Sequence, residues 1–307
     1  MQFKIGTRGS KLAMWQAEWV KSRLEMDGHE CTIIPIETRG DKILDVSISK
    51  IGSKGVFTEE IEQCLEEQKI DIAVHSAKDM PSRLDPGFEL IAYSEREREN
   101  DVLLSEKNIN LHQPIKIGTS STRRVAFLKH YYPSVEVVSV RGNLQTRLKK
   151  MQEGLCDGLL LAYAGVHRMG YSDRIQSMLP LDQFTPAVGQ GSIAIECFES
   201  LSKEKVNAVR KCVNHVETEF RLLAERAFLR TLEGGCSIPV FALATADEDK
   251  LKLSGGLISL EGDKLIKEDI QGDLNSADIL GTTLGNQILN KGGRDLLKSI
   301  RDQLDSI

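Results

Sequence analysis

The chain has 307 residues, of which 40% are hydrophobic and 28% charged, and its formal net charge is −5 at pH 7. These values are typical of a globular protein with two or three domains, and they exclude one that binds nucleic acid with its whole surface. No apolar run is long enough to cross a bilayer, and the first residues lack the apolar stretch of a signal peptide. The six cysteines are scattered, without a C-x-x-C pair or a zinc-ligand spacing. We therefore expect a cytoplasmic protein with no metal site, no membrane partner and no nucleic-acid partner.

Strands alternate with helices through the first two thirds of the chain. Apolar runs typical of strands cover 3–5, 31–36, 70–74, 88–92, 101–104, 115–117, 135–140 and 158–162. Helices are predicted over 11–26, over about 58–68, from Thr122 onward and around Arg147. This alternation predicts parallel sheets in two successive sections, which the charge run of residues 95–99 separates.

The last third has a different pattern. A helical stretch over about 203–230 leads into runs of alternating polarity at 240–245, 251–260 and 264–271, and then into helices over 277–289 and 295–304. We therefore expect an α/β protein with two doubly wound domains, followed by a C-terminal α+β domain with a small antiparallel sheet. The expected bounds are 1–96 with 190–213 for the first domain, 100–187 for the second and 216–307 for the third.

Arginines lie at, or one turn past, the C-terminal ends of predicted strands. They are Arg8, Arg123, Arg124, Arg141, Arg147 and Arg168. In doubly wound sheets these strand ends meet at one crevice. Arginine binds carboxylates and phosphates with two parallel hydrogen bonds, and helix N-termini add backbone donors. Any one of these arginines would usually pair with an acidic side chain, but six at equivalent positions favour an anionic ligand. Since no phosphate-binding glycine motif follows a strand, a nucleotide is disfavoured.

The stretch from His75 to Pro81 packs ionisable groups into the turn after a predicted strand. A solvated turn is one interpretation of it. If the turn lies in a basic crevice, however, Asp79 cannot serve to bind anions. It can stabilise a developing cation or transfer a proton. His75 is expected to have a structural role.

Cys236 follows two glycines and precedes Pro239, which predicts a shaped and accessible loop. A thiolate there, close to a basic crevice, would have a lowered pKa and could act as a nucleophile. The alternative is a buried, inert cysteine. The other five cysteines lie in apolar strand or helix patterns and are expected to be structural.

Several short motifs occur in one order along the chain. They are residues 6–10, 52–55, 75–81, 118–124, 140–143, 186–191 and 234–236. With them the chain resembles the hydroxymethylbilane synthase family, also called porphobilinogen deaminase, from end to end. The resemblance implies two domains like type II periplasmic binding proteins and a third that carries the cofactor. It also implies a transferase that joins four porphobilinogen molecules head to tail, releases ammonia, and frees the linear tetrapyrrole by hydrolysis. A monomer is the default expectation for the oligomeric state.

The resemblance further implies a dipyrromethane cofactor attached to Cys236 by a thioether, and it makes Asp79 the main catalytic residue. Asp79 would stabilise the positive charge that spreads over the pyrrole nitrogens. The residues expected to bind the cofactor and substrate are Arg8, Ser10, Lys54, Ser76, Lys78, Thr119, Ser120, Ser121, Arg123, Arg124, Arg141, Gly142, Asn143, Arg147, Arg168 and Gln190. Because each added ring brings two more carboxylates, hinge motion is expected at about 95–101 and 187–192.

Two other classes of protein remain open on the sequence. Two α/β domains around an anion site could form a solute-binding protein without chemistry, although no export signal is seen. A DNA-binding regulator with an effector domain of this fold would need a helix-turn-helix module, and the first predicted strand begins at residue 3.

Overall fold

A computed structural model describes residues 1–42, 58–235 and 237–306. Its strands are β1 (Gln2–Arg8), β2 (Glu30–Ile36), β3 (Ile72–Ser76), β4 (Phe88–Tyr93), β5 (Asp101–Leu104), β6 (Lys116–Gly118), β7 (Glu136–Val138), β8 (Gly158–Ala162), β9 (Ile175–Met178), β10 (Ile193–Phe198), β11 (Val240–Asp247), β12 (Lys250–Ile258) and β13 (Leu265–Asp273). Its helices are α1 (Lys11–Met26), α2 (Arg39–Lys42), α3 (Glu59–Glu66), α4 (Thr122–Tyr131), α5 (Leu144–Gln152), α6 (Tyr163–Arg168), α7 (Lys203–Val213), α8 (Val216–Thr231), α9 (Ala277–Ile288) and α10 (Arg294–Asp305). Two expected site residues, Lys54 and Cys236, lie outside the described residues.

The first sheet has five strands in the order β2-β1-β3-β10-β4. Strand β1 is parallel to β2 and β3, whereas β10 runs antiparallel to both of its neighbours. Pro35 lies in β2, at the edge of the sheet, where a residue without an N–H donor is tolerated. Helix α1 begins at Ser10, whose side chain accepts a hydrogen bond from the amide of Ala13, and it buries Ala17, Val20 and Leu24 on this sheet.

The second sheet repeats this topology, with the order β7-β6-β8-β5-β9. Strand β6 is parallel to β7 and β8, and β5 is antiparallel to β8 and β9. The expectation of purely parallel sheets is therefore wrong, since both sheets are mixed. The reason lies in the connections. The chain enters the second sheet through β5 and returns to the first through β10, and each of these crossing strands is antiparallel to the strand beside it.

The third sheet is antiparallel, with the order β11-β12-β13. Helices α8, α9 and α10 cover it, and Phe228, Leu253 and Leu284 are fully buried between these layers. The expected fold class, two α/β sheets followed by an α+β unit, is confirmed. The helical stretch expected over about 203–230 consists of two helices. The chain breaks into α7 and α8 at Asn214 and His215, because these two residues hydrogen-bond to the backbone of Tyr93 at the end of β4.

No helix in the described parts of the chain is both long and apolar enough to cross a membrane.

Candidate active site

The ends of β1 and β3 lie side by side, because these strands are parallel neighbours in the first sheet. Arg8 is the last residue of β1, and Ser10 caps the helix that follows it. His75 and Ser76 belong to β3, so the strand has the expected length but begins and ends two residues later than the expected 70–74. A short 3₁₀ turn, Ala77–Asp79, comes next. This turn, rather than the whole 75–81 stretch, projects beyond the sheet.

Ser76 is hydrogen-bonded to a residue of helix α1. Its hydroxyl accepts a hydrogen bond of 2.9 Å from Gln16 Nε2, and Gln16 is buried in α1. Any contact between Ser76 and a ligand therefore has to share the hydroxyl with this amide.

Lys78 and Asp79 differ in their surroundings. Asp79 is exposed to solvent, whereas Lys78 is partly buried. Burial lowers the pKa of Lys78 to about 8, and the positive charges of Arg124 and Arg123 act in the same direction. The carboxylates of Asp79 and Asp101 oppose this change in pKa. Asp101 opens β5 of the second sheet, and Arg123 and Arg124 lie at the start of α4, the helix that follows β6. The turn after β3 therefore faces the second sheet and this helix.

Asp101 is a buried acid that the sequence interpretation missed. It opens β5 and is fully buried. Arg124 donates to its Oδ1 from Nε at 3.0 Å and from Nη2 at 2.8 Å, and Arg123 Nη1 lies 2.8 Å from its Oδ2. Burial alone would raise the pKa of Asp101, but the two guanidinium groups outweigh it and hold the pKa well below the usual range. Asp79 is therefore not the only acid among these cations.

Arg123 and Arg124, two of the strand-end arginines, thus pair with the buried carboxylate of Asp101. Pairing with an acidic side chain is the alternative to ligand binding that the sequence left open for any single arginine. Both arginines are buried at the N-terminus of α4. Arg123 also donates to the carbonyl of Thr185 at 2.9 Å, and its Nε is buried without a hydrogen-bond partner among the described residues. A part for Arg123 and Arg124 in ligand binding remains a prediction.

Gln190 is likewise held by the protein itself. It is buried, and its Nε2 donates to the carbonyl of Glu99 at 2.7 Å and to Asp101 Oδ1 at 2.9 Å. The residue therefore ties together the two chain segments that connect the sheets.

Arg147 approaches the same place from α5. Its Nε donates to the carbonyl of Gly142 at 2.8 Å, which orients the guanidinium. Burial lowers the pKa of Arg147 to about 10, with Arg124 and Arg141 acting in the same direction and Asp79 opposing them. We call Lys78, Asp79, Arg124, Arg141 and Arg147 the basic site. Its members act on one another electrostatically across the two sheets.

Several expected binding residues shape the loops around the basic site. Asn143 accepts a hydrogen bond from the amide of Thr146 and so caps α5, and Gly142 adopts a positive φ of 111°. Ser120 and Ser139 share a hydrogen bond of 3.1 Å, and Thr119 accepts one from the amide of Ser121. These contacts fix the strand-to-helix turns of the second sheet.

Arg168 spans the two sheets. Its Nη2 donates to the carbonyl of Gly191 at 2.7 Å, and its guanidinium lies over the ring of Trp15 in α1, 5.5 Å from the centroid. Burial lowers its pKa. In this structure Arg168 joins α6 to the first sheet.

Gly189, which the sequence interpretation placed in a motif without a role, lies against the turn that follows β3. Its φ is +75°, and a Cβ there would lie 2.9 Å from the carbonyl carbon of Ala77 and 3.0 Å from the amide nitrogen of Lys78. Only glycine allows this approach. The backbone of Gly189 therefore packs directly against the turn that carries Lys78 and Asp79. The signal in the sequence was the pair of glycines around Gln190.

His75 forms a buried pair with Glu196 of the neighbouring strand β10. Its Nε2 lies 3.1 Å from Glu196 Oε2, and neither side chain is appreciably exposed. A structural role for His75 remains a prediction.

Together these features define a class of protein. It is an α/β protein in which the strand ends of two sheets build one basic site with a single exposed carboxylate. Such a site suits a ligand that bears several carboxylates and develops positive charge.

Comparisons with known proteins identify the family. Residues 3–206 match the family model "Porphobilinogen deaminase, dipyromethane cofactor binding domain", and residues 220–290 match "Porphobilinogen deaminase, C-terminal domain". The chain is 54% identical over 307 residues to the porphobilinogen deaminase of Desulfosudis oleivorans, covering 99% of each chain. It is 52% identical to that of Cytophaga hutchinsonii, covering 98% of this chain and 97% of the relative. The chain therefore belongs to the porphobilinogen deaminase family of hydroxymethylbilane synthases, which are transferases with a dipyrromethane cofactor, and the expected family is confirmed.

Solved structures show more distant likenesses. The methionine-binding protein MetQ superposes with a TM-score of 0.45 at 9% identity, covering 69% of this chain and 89% of that one. The BvgS VFT2 domain of Bordetella pertussis gives a TM-score of 0.40 at 14% identity, covering 69% and 86%. Likenesses at these scores carry no argument about function.

Proposed function

We propose that this chain joins four porphobilinogen molecules, one at a time, to a dipyrromethane primer on Cys236, and then releases the linear tetrapyrrole by hydrolysis. Asp79 is the catalytic residue of this proposal. The observation that carries it is the position of Asp79, an exposed carboxylate that acts electrostatically on cations of both sheets, Lys78 and Arg147.

The donors of the basic site fit a dipyrrole that bears acetate and propionate groups. In the described part of the chain, Lys78 and Arg147 form no ion pair with an acidic side chain, and burial disfavours the charged form of both. A bound carboxylate compensates for that burial, because an opposite charge stabilises the protonated form. Arg123 Nε, buried without a partner, offers one further donor. When bound, the dipyrromethane supplies the free α-carbon to which the next pyrrole is added.

Asp79 acts on the charge that develops when ammonia leaves. Loss of the amino group makes a pyrrole electron-poor, and its nitrogen gains positive charge. The Asp79 carboxylate accepts a hydrogen bond from the pyrrole N–H and stabilises this charge more as it grows.

Lys78 and the arginines hold the substrate by its carboxylates. Arg147 is positioned by the Gly142 carbonyl, so its guanidinium is pre-oriented for a carboxylate. Lys78 is a compact charge on the residue next to Asp79. It therefore fixes a substrate carboxylate at a set distance from the catalytic group. We propose that Arg8, Ser10, Lys54, Ser76, Thr119, Ser120, Ser121, Arg141, Gly142, Asn143, Arg168 and Gln190 complete the site, by contact with the growing chain or by shaping the loops around it.

We further propose the expected division into domains, 1–96 with 190–213, 100–187 and 216–307, and a monomer that works in the cytoplasm without a nucleic-acid partner. The hinge would lie where the two connecting segments run together. There the amide of Glu97 donates to the carbonyl of Gly191 at 3.2 Å, and Arg96 Nε donates to the carbonyl of Gln190 at 2.9 Å.

Intact-mass spectrometry tests the proposal. The freshly purified, active chain should carry the mass of a dipyrrole adduct, and incubation with porphobilinogen should add further pyrrole units. Cys236→Ser should lack the adduct, whereas the control Cys64→Ser should keep it. A bare-chain mass for the active protein would refute attachment at Cys236. An adduct that gains no units from porphobilinogen would refute the reaction.

A further inference from the structure

Three potential metal ligands meet at the end of the first sheet that lies away from the basic site. Asp27 is the C-cap of α1, His29 precedes the first residue of β2, and Cys212 lies in the last turn of α7. The basic site lies beyond the opposite ends of these parallel strands, roughly 20 Å away along a seven-residue strand. We propose that Asp27, His29 and Cys212 bind one divalent transition-metal ion, with zinc as the best fit.

The ligand atoms are already close together. One ligand atom from each of the three residues lies within 4.8 Å of the other two, and His29 Nε2 is 3.5 Å from Asp27 Oδ2. Tetrahedral zinc with bonds of about 2.0–2.3 Å places its ligand atoms roughly 3.3–3.8 Å apart. Side-chain rotation that brings the three ligand atoms about 1 Å closer together therefore lets them fill three of the four coordination positions. The combination of nitrogen, sulfur and oxygen donors is one that zinc accepts, and water can fill the fourth position.

His29 provides an independent sign of a missing ligand. Its side chain is only 10% exposed, yet its Nε2 is buried without a hydrogen-bond partner in the described residues. The ring packs edge-on against Phe3, with centroids 5.4 Å apart, and its Nδ1 lies 3.3 Å from the Met1 nitrogen. Because the Met1 ammonium can only donate, Nδ1 is the acceptor of this contact, and a metal at Nε2 requires the ring proton to leave that nitrogen. The contact holds the ring in place, with Nε2 on the side of Asp27.

The backbone also favours a cation at this point. Gly28, with a φ of +81°, turns the chain between Asp27 and His29, and its amide donates to the carbonyl of Glu25 at 3.0 Å. Helices α1 and α7 both end here, so the negative ends of two helix dipoles converge on the three side chains. No local pattern in the sequence indicates this cluster, because Cys212 is far from Asp27 and His29 along the chain.

The ammonium group of Lys211 is bound to one of the three proposed ligands, Asp27. Its Nζ lies 2.6 and 3.0 Å from the two carboxylate oxygens of Asp27. Because the lysine side chain is 69% exposed, the ion pair is weak and can be displaced at small cost. Burial raises the pKa of Cys212, and Asp27 acts in the same direction, so the thiol is protonated at neutral pH. When the metal–sulfur bond forms, the thiol proton passes to solvent. Metal affinity should therefore increase with pH.

Cobalt(II) is the probe, since its spectrum reports both thiolate ligation and tetrahedral geometry. The full-length holoenzyme is titrated with Co²⁺ and then with Zn²⁺, alongside Cys212→Ala and the control Cys64→Ala. In Cys64→Ala the half-buried thiol that is removed packs on the other face of the sheet. We expect one equivalent to bind to the unmodified chain and to Cys64→Ala, with a sulfur-to-cobalt charge-transfer band that Zn²⁺ abolishes. Cys212→Ala should lose the band and bind about 10- to 100-fold more weakly.

A charge-transfer band of equal strength in Cys212→Ala, or no saturable binding by the unmodified chain, would overturn the proposal. Asp27→Asn, which preserves the size of the side chain, serves as a second variant if Cys212→Ala does not fold, and it should also weaken binding. None of these readouts depends on catalysis, so the test stands apart from the proposed function.

Discussion

Glu225 and Arg96 form a two-point ion pair in which both side chains are almost fully buried. Arg96 donates to Glu225 Oε1 at 2.5 Å and to Oε2 at 3.1 Å, and the exposed fractions of the two side chains are 1% and 0%. The same carboxylate accepts hydrogen bonds from the amides of Gly189 at 2.9 Å and Ala244 at 2.8 Å. One residue of α8 therefore joins a connecting segment, Gly189 beside the turn of Lys78 and Asp79, and the third sheet.

Glu225→Gln should destabilise the chain strongly. The change removes the two-point partner of a buried charge and leaves Arg96 with Glu99, 3.6 Å from its Nε, as its acidic partner. Removing one partner of a buried pair costs about 3–5 kcal/mol in comparable cases. Urea unfolding followed by circular dichroism measures the free energy of unfolding. Glu217→Gln on the same helix is the control, because Glu217 pairs with Arg221 at 3.6 Å but is 51% exposed, and its loss should change stability by no more than about 0.5 kcal/mol. Equal effects of the two variants would show that the buried pair does not hold these parts together.

Gly189→Ala should abolish most activity. The new methyl group would collide with the backbone of Ala77 and Lys78. The alanine residue would also have to adopt a φ of +75°, which glycine tolerates and other residues rarely do. The turn that carries Asp79 must then shift, and a displacement of about 1 Å can lower the rate about 100-fold. Turnover of porphobilinogen at saturating substrate is the measurement.

The control for this variant is Gly170→Ala. Gly170 has nearly the same φ, +76°, but a Cβ there meets no atom within 4 Å. It should lose only the stability that an unfavourable φ costs, about 1 kcal/mol, and keep its turnover. If both variants keep normal turnover, the contact between Gly189 and the turn has no catalytic importance.

The sequence predicted the elements and the strand-end loops well, because both depend on local patterns. Helix α1 covers the predicted residues 11–26, and the turn of Lys78 and Asp79 follows its strand. What the sequence did not show is pairing across long separations. Asp101 neutralises two arginines that were interpreted as ligand-binding, and it looked like an ordinary strand residue. Its partners are set by how the second sheet folds, which no local pattern encodes.

Asp79→Asn should keep the dipyrrole adduct while turnover falls. Asparagine keeps the shape of the side chain but loses the negative charge that stabilises the developing cation, so kcat should fall about 100- to 1000-fold. Asp85→Asn, an exposed acid in the chain segment that follows the turn, is the control and should change kcat less than about twofold. Intact mass and single-turnover kinetics separate loss of the adduct from loss of chemistry. Near-normal kcat with the adduct in place would refute the role of Asp79.

Lys78 should impose an alkaline limit on substrate binding. Its pKa of about 8 lies below the ordinary value of 10.5, so in the free protein the ammonium loses its proton as the pH rises through about 8. Over the same range the folded chain binds fewer protons than the unfolded chain. Lys78 therefore makes folding more favourable as the pH rises from about 8 toward 10.5, while its binding charge is lost. KM for porphobilinogen should accordingly rise, by about tenfold between roughly pH 7 and pH 9.5, as one charge-assisted contact is lost.

Lys78→Arg separates this titration from that of the substrate. A guanidinium remains protonated throughout this range, so the variant should keep a nearly constant KM where that of the unmodified chain rises. Any ionisation of porphobilinogen itself affects both proteins equally and cancels in their ratio. Steady-state kinetics at fixed ionic strength, across about six pH values, gives the two profiles. Parallel KM profiles for the two proteins would show that the charge of Lys78 does not hold a substrate carboxylate, because only this side chain differs between them.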